Sequence, residues 1–161
     1  METVYLETSI VSYLTAQPAR DVVAAARQRL TIEWWDSQRA FFSLVISPLV
    51  MAEASRGDSE AALRRLEILR RLPHVDVTPE AISLAKRIVA DGAMPKNAAD
   101  DALHIALAVV HRVDYLLTWN CRHIDNAQNK PRVRRLCHDA GYRFPEICTP
   151  EELMGGISDA R

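Results

Sequence analysis

The chain of 161 residues is long enough for one well-buried domain and too short for two of ordinary size. It is 48% hydrophobic and 25% charged, a globular profile in which no stretch approaches the roughly 20 apolar residues of a membrane span. A formal net charge of −1 argues against a dedicated high-affinity polyanion binder, while leaving room for an enzyme that holds such a substrate briefly.

No basic start precedes the first apolar run, Val4-Tyr5-Leu6, so a cytoplasmic location is expected. That run reads as a short buried strand ending at Glu7, with Thr8 and Ser9 turning into a short helix toward Leu14. After Pro18, residues 21–40 read as a long helix with Val22, Ala26, Leu30 and Trp34 on one apolar stripe. Phe42 to Ile46 is β-rich. Ser47-Pro48 then supplies an N-cap and first helical residue for a helix carrying Glu53. Asp58-Ser59 opens an amphipathic helix that Pro73 ends, Val75-Asp76-Val77 alternates as a strand, and Thr78-Pro79 opens the next helix.

The loop around Pro95 leads to Asp100 and Asp101, which start the most apolar helix of the chain. Asp114 to Trp119 reads as a strand closed by Thr118 and Asn120. Pro131 to Ala140 reads as a basic helix stopped by Gly141. Thr149-Pro150 caps a last short helix, and the chain frays from Gly155-Gly156. Strands alternating with helices predict an α/β domain around a mainly parallel sheet over residues 1–150, with residues 151–161 as a tail.

Three cysteines, Cys121, Cys137 and Cys148, fit reduced thiols better than a disulfide framework, and their spacing with His123 and His138 matches no usual zinc pattern. Seventeen of the 20 basic residues are arginines. Between Asn120 and Arg143, six basic residues face two acidic ones. Arg122, Arg132, Arg134 and Arg135 therefore form a candidate contact for a nucleic-acid backbone, with a solvated surface helix as the ordinary alternative.

The chemistry lies in the acids. Glu7 sits at a strand end, Glu53 and Asp101 lie on helices that follow loops, and Asn120 closes a second strand. In parallel α/β sheets, sites form at the carboxyl ends of the strands. Three carboxylates with water make a hard-oxygen site suited to Mg2+ or Mn2+ rather than to zinc or copper. Without a cation, crowded carboxylates raise one another's pKa. Each acid also has an ordinary reading: Asp100 suits a helix N-terminus through its dipole, and Thr118 and Asn120 suit a turn. His104, one turn after Asp101, suits either a buried hydrogen bond or a supporting place beside the site.

Tyr5-Leu6-Glu7-Thr8-Ser9, the helix bearing Glu53, Asp101-Ala102-Leu103-His104-Ile105-Ala106 and Leu117-Thr118-Trp119-Asn120 occur in the order of the PIN-domain ribonucleases. The chain resembles that family, in particular the VapC-like toxins of type II toxin–antitoxin systems. The resemblance implies a three-layer α/β/α sandwich with a mainly parallel central sheet. It implies metal ligation by Glu7, Glu53 and Asp101, with Asn120 as an auxiliary or supporting group. Thr8, Ser9, Asp100, His104 and Thr118 would be auxiliary residues. The implied reaction is hydrolysis of RNA phosphodiesters by metal-activated water, the implied partners a small antitoxin and a second copy of the chain. Two departures stand out, Glu7 and Asn120, because the family usually has Asp at the first position and often at the second. They keep open a catalytically weak or inactive module that binds RNA or a protein. Neither a glycine-rich phosphate loop nor a paired-Asp nucleophile supports a general phosphohydrolase.

Overall fold

The computed structural model describes residues 1–155. Four strands, β1 (Thr3–Leu6), β2 (Ser43–Val45), β3 (Tyr115–Leu117) and β4 (Glu146–Cys148), form one all-parallel sheet in the order β2-β1-β3-β4. The α-helices among the described residues are α1 (Thr8–Thr15), α2 (Val22–Ser37), α3 (Pro48–Ala54), α4 (Ser59–Leu69), α5 (Pro79–Ala90), α6 (Ala99–Val110) and α7 (Lys130–Asp139). Val4, Tyr5 and Leu6 alternate between the two faces of β1, and all three are buried, so helices cover both faces. Helices α1 to α4 pack on one another, as do α5 to α7. The expected α/β sandwich is the one observed.

Local chemistry sets most element boundaries. Asp21, Ser47, Asp58 and Thr78 each accept a backbone N–H from the third residue on, capping α2, α3, α4 and α5. Pro48 and Pro79 fill first-turn positions, where no N–H is needed. Gly141, at φ +89°, ends α7 in the left-handed region that a side chain would disfavour.

Three expectations are corrected. Residues 75–77 form no strand; an isolated bridge between Ile46 and His74 is the only pairing there. Of the apolar stripe expected on α2 only Trp34 is fully buried: Val22 is 81% exposed, and Gln28 and Thr31 share the buried face with Trp34. Gln28 is buried because it clamps the α1–α2 connection, donating to the Gln17 carbonyl and accepting from the Ala19 N–H. Thr31 is buried because its hydroxyl accepts the Trp119 indole N–H and donates to the Arg27 carbonyl. Finally, residues 151–154 form turns rather than a short helix, with the Leu153 carbonyl taking the Trp34 indole N–H. The frayed tail expected after Gly155 lies outside the described residues.

The chain runs from β1 outward to β2, then back across to β3 on the other side, so the order reverses between β1 and β3. A crevice at the carboxyl ends of those two strands is where the topology places a site. Glu7 and Thr118 are the residues that leave β1 and β3 there.

Candidate functional site

Glu7 follows β1 directly, and its N–H continues the sheet by donating to the Leu117 carbonyl. Its Oε1 accepts two hydroxyls, Ser9 Oγ at 2.5 Å and Thr118 Oγ1 at 2.7 Å. Each hydroxyl also takes a backbone N–H from the end of β3: Ser9 from Trp119 and Thr118 from Asn120. Ser9 and Thr118 thus knit the two strand ends around one carboxylate. Glu7 is only 6% exposed, and among the described residues no Lys or Arg nitrogen pairs with it.

Glu53 comes from the last turn of α3. Its Oε1 accepts Thr8 Oγ1 at 2.5 Å and His104 Nε2 at 2.6 Å. His104, on α6, is fully buried, and its Nδ1 lies 2.8 Å from the Tyr5 hydroxyl, which lies 2.7 Å from Ser47 Oγ. Burial by itself disfavours the imidazolium, but the hydrogen bond to Glu53 and the charges of Glu7, Glu53 and Asp101 outweigh it and raise the His104 pKa. Burial likewise pushes the Glu53 carboxyl up, and the His104 bond and charge, Thr8 and Arg56 overcome it, so its pKa falls. Both directions describe one buried charge-assisted pair.

Donor atoms of Glu7, Glu53 and His104 lie within 4.8 Å of one another, the only His/Cys/Asp/Glu group of this kind among the described residues. Asp101 is outside it. One turn before His104 on α6, its Oδ2 accepts His123 Nδ1 at 2.9 Å. Asp100 is exposed and lines a groove between α5 and α6. Asn120 spends its Oδ1 on the N–H of His123 and its backbone carbonyl on Ile124 and Asp125, which makes it the start of a turn.

The four arginines have different local surroundings. Arg122 lies exposed in the loop after Asn120. Arg132 and Arg135 line a shallow pocket with Arg87, Asp91 and Asp139, and Arg134 stacks over Phe144. Cys137 and Cys148 are buried and Cys121 is exposed, and none joins a metal-ligand group among the described residues.

Three residues of the site were not assigned to it by the sequence: Tyr5 and Ser47, which support His104, and His123, which holds Asp101. The first two carried only core and capping signals. His123 had a weak one, its place three residues after Asn120, where an Asn side chain closes a turn.

Residues 4–127 match the PIN domain family. The chain belongs to that family. No curated protein matches it. Among solved structures, this PIN domain is similar to the Mycobacterium tuberculosis toxin VapC20, described as cleaving the sarcin–ricin loop. The two share 16% identity at a TM-score of 0.59, covering 87% of this chain and 96% of that one. It is also similar to VapBC2 of Rickettsia felis bound to a DNA fragment from its promoter, at 17% identity and a TM-score of 0.54, covering 91% and 98%. DNA-bound VapBC of Salmonella typhimurium gives 15% and 0.54, covering 93% and 99%. At these identities the likeness establishes the PIN fold.

Proposed function

We propose that this PIN domain is a metal-dependent ribonuclease, the toxin of a toxin–antitoxin pair. The observation that carries the reading is Glu7: a buried carboxylate that meets only hydroxyls, beside a second carboxylate, at the switch point of a parallel sheet. Two carboxylates share this corner with a single imidazole, His104, so even a protonated His104 leaves negative charge that is costly to bury, and a divalent cation would balance it. The donor set fits such a cation. Among the described residues, the hydroxyl and imidazole donors on Glu7 and Glu53 all bond to Oε1, so Oε2 of each has no protein donor.

In this reading Glu7 and Glu53, whose ligand atoms lie within 4.8 Å of one another, hold Mg2+ or Mn2+, and Asp101, outside that cluster, is the third acid that would reach the cation. When bound, the cation would polarise the scissile phosphate and activate water for in-line attack. Thr8, Ser9 and Thr118 fix which carboxylate oxygen faces the cation, and His104 holds Glu53 from beneath. Arg122, exposed in the loop after Asn120, would meet a backbone phosphate, with Arg132, Arg134 and Arg135 as further contacts. A small antitoxin and a second copy of the chain are the proposed partners, by analogy with the VapC-like relatives. A cytoplasmic setting belongs to the same proposal; among the described residues no helix is long and apolar enough to cross a membrane.

The competing reading, a non-catalytic PIN module binding RNA or protein, is favoured by one observation. Asn120 supplies no charge and its Oδ1 is taken by a turn, so the site carries one acid fewer than the family often has. Purified protein incubated with mixed tRNA and single-stranded RNA, in Mn2+, Mg2+ or EDTA, separates the two. Cleavage that needs metal and disappears in folded Asp101→Asn supports the nuclease. Intact RNA under all conditions, from protein free of bound partner, leaves the binding module.

A further inference from the structure

His123 lies outside every motif that points to the site, yet it holds one of the three acids. The loop after β3 is built to place it. Asn120 Oδ1 accepts the His123 N–H at 3.0 Å, Asn129 Nδ2 donates to the His123 carbonyl at 3.1 Å, and the neighbouring Ile124 is fully buried. With its backbone pinned on both sides, the half-buried ring sets Nδ1 2.9 Å from Asp101 Oδ2. An ionised carboxylate only accepts, so the proton between them is carried by Nδ1. No other protein donor reaches Asp101 among the described residues.

We propose that His123 is a positioning residue for cation binding: it fixes the Asp101 carboxylate by Oδ2 and leaves Oδ1 as the ligand atom, with Asn120 acting through it as the residue that shapes the loop. The position usually filled by an acid in the family thus serves the site indirectly here. The arrangement parallels the other two acids, each held by one oxygen through Ser9 and Thr118 or through Thr8 and His104. A hydrogen bond of this kind, one shell outside a metal, orients a ligand and raises its affinity. The inference rests on the reading of Asp101 as a ligand.

Calorimetric titration with Mn2+ alone tests it without reference to turnover, on wild type, Asp101→Asn, His123→Phe and His123→Gln. His123→Phe keeps a ring of similar size with no donor, and it is expected to weaken Mn2+ binding about 10–100-fold. His123→Gln, which restores an N–H donor, is expected to recover most of the loss; a purely structural role would not separate the two. Should the Phe variant not fold, His123→Ala serves as the donor-free form. Wild-type affinity in a folded donor-free variant, with Asp101→Asn weakened, overturns the role of His123 and leaves Asp101 a ligand. Wild-type affinity in Asp101→Asn overturns the ligand reading itself, and this inference with it.

Discussion

At the scale of single residues, the buried chain Glu53–His104–Tyr5–Ser47 shows how a core can set a carboxylate of the candidate site. Every link is between 2.6 and 2.8 Å, and it ends where Ser47 Oγ accepts the Val50 N–H. A neutral His104 completes it in one direction: Ser47 donates to Tyr5, Tyr5 to Nδ1, and Nε2–H to Glu53. Protonation of His104 reverses the first two donations. In both states the Tyr5 hydroxyl is spent, and burial drives its pKa well above the ordinary phenol range. Tyr5→Phe therefore removes one oxygen and leaves two buried polar atoms, His104 Nδ1 and Ser47 Oγ, short of a partner. Urea denaturation of the metal-free protein is expected to show a loss of about 1–3 kcal/mol. His104→Ala should cost more, since it adds a cavity and leaves Glu53 with Thr8 alone. Unchanged stability in Tyr5→Phe would mean that the chain is an accident of packing.

At the scale of elements, α3 is a short helix with two tasks. Its cap, Ser47, is bonded both to the Val50 N–H and to the Tyr5 hydroxyl, so one serine fixes where the helix starts and anchors the relay that reaches Glu53 at its other end. Asp58, the exposed cap of α4, has the first task only. Replacing Asp58 by Ala is expected to cost about 0.5–2 kcal/mol. Ser47→Ala should cost more and should also weaken Mn2+ binding, which Asp58→Ala should leave alone. Equal costs with unchanged metal affinity in both would separate the cap from the site.

Caps of this sort made the element boundaries legible, because an Asp or Ser before a Pro or an apolar run acts within four residues. That Glu7 and Thr118 would lie close was legible because strand ends in a parallel sheet share one edge; Glu53 comes to the same corner from the last turn of α3. Residues 75–77 misled because alternation describes a strand but does not provide a neighbour, and here the chain pairs at a single bridge. The face of α2 misled because Gln28 and Thr31 are buried by partners far along the chain, among them Trp119. Asp101 and His123 meet across the β3 crossover, which no local pattern encodes.

At the scale of the whole molecule, burial fixes the alkaline limit of the fold. Cys137 and Cys148 lie on α7 and β4 with almost no exposure, and desolvation pushes both thiols up to about 12 from an ordinary 9.0. In each case the folded chain keeps its proton where the unfolded chain has lost it. Stability is therefore fully present below pH 9.0 and falls as pH rises toward about 12. Each thiol contributes a slope of at most about 1.4 kcal/mol per pH unit. Tyr5, buried beside the site, acts in the same direction at higher pH still. Urea melts at intervals from about pH 8 to 10.5 should show a progressive loss. The double variant Cys137→Ala, Cys148→Ala is expected to start less stable at pH 8, from the lost packing, yet to decline more gently. A profile as steep as that of wild type would assign the alkaline loss to groups other than these two thiols.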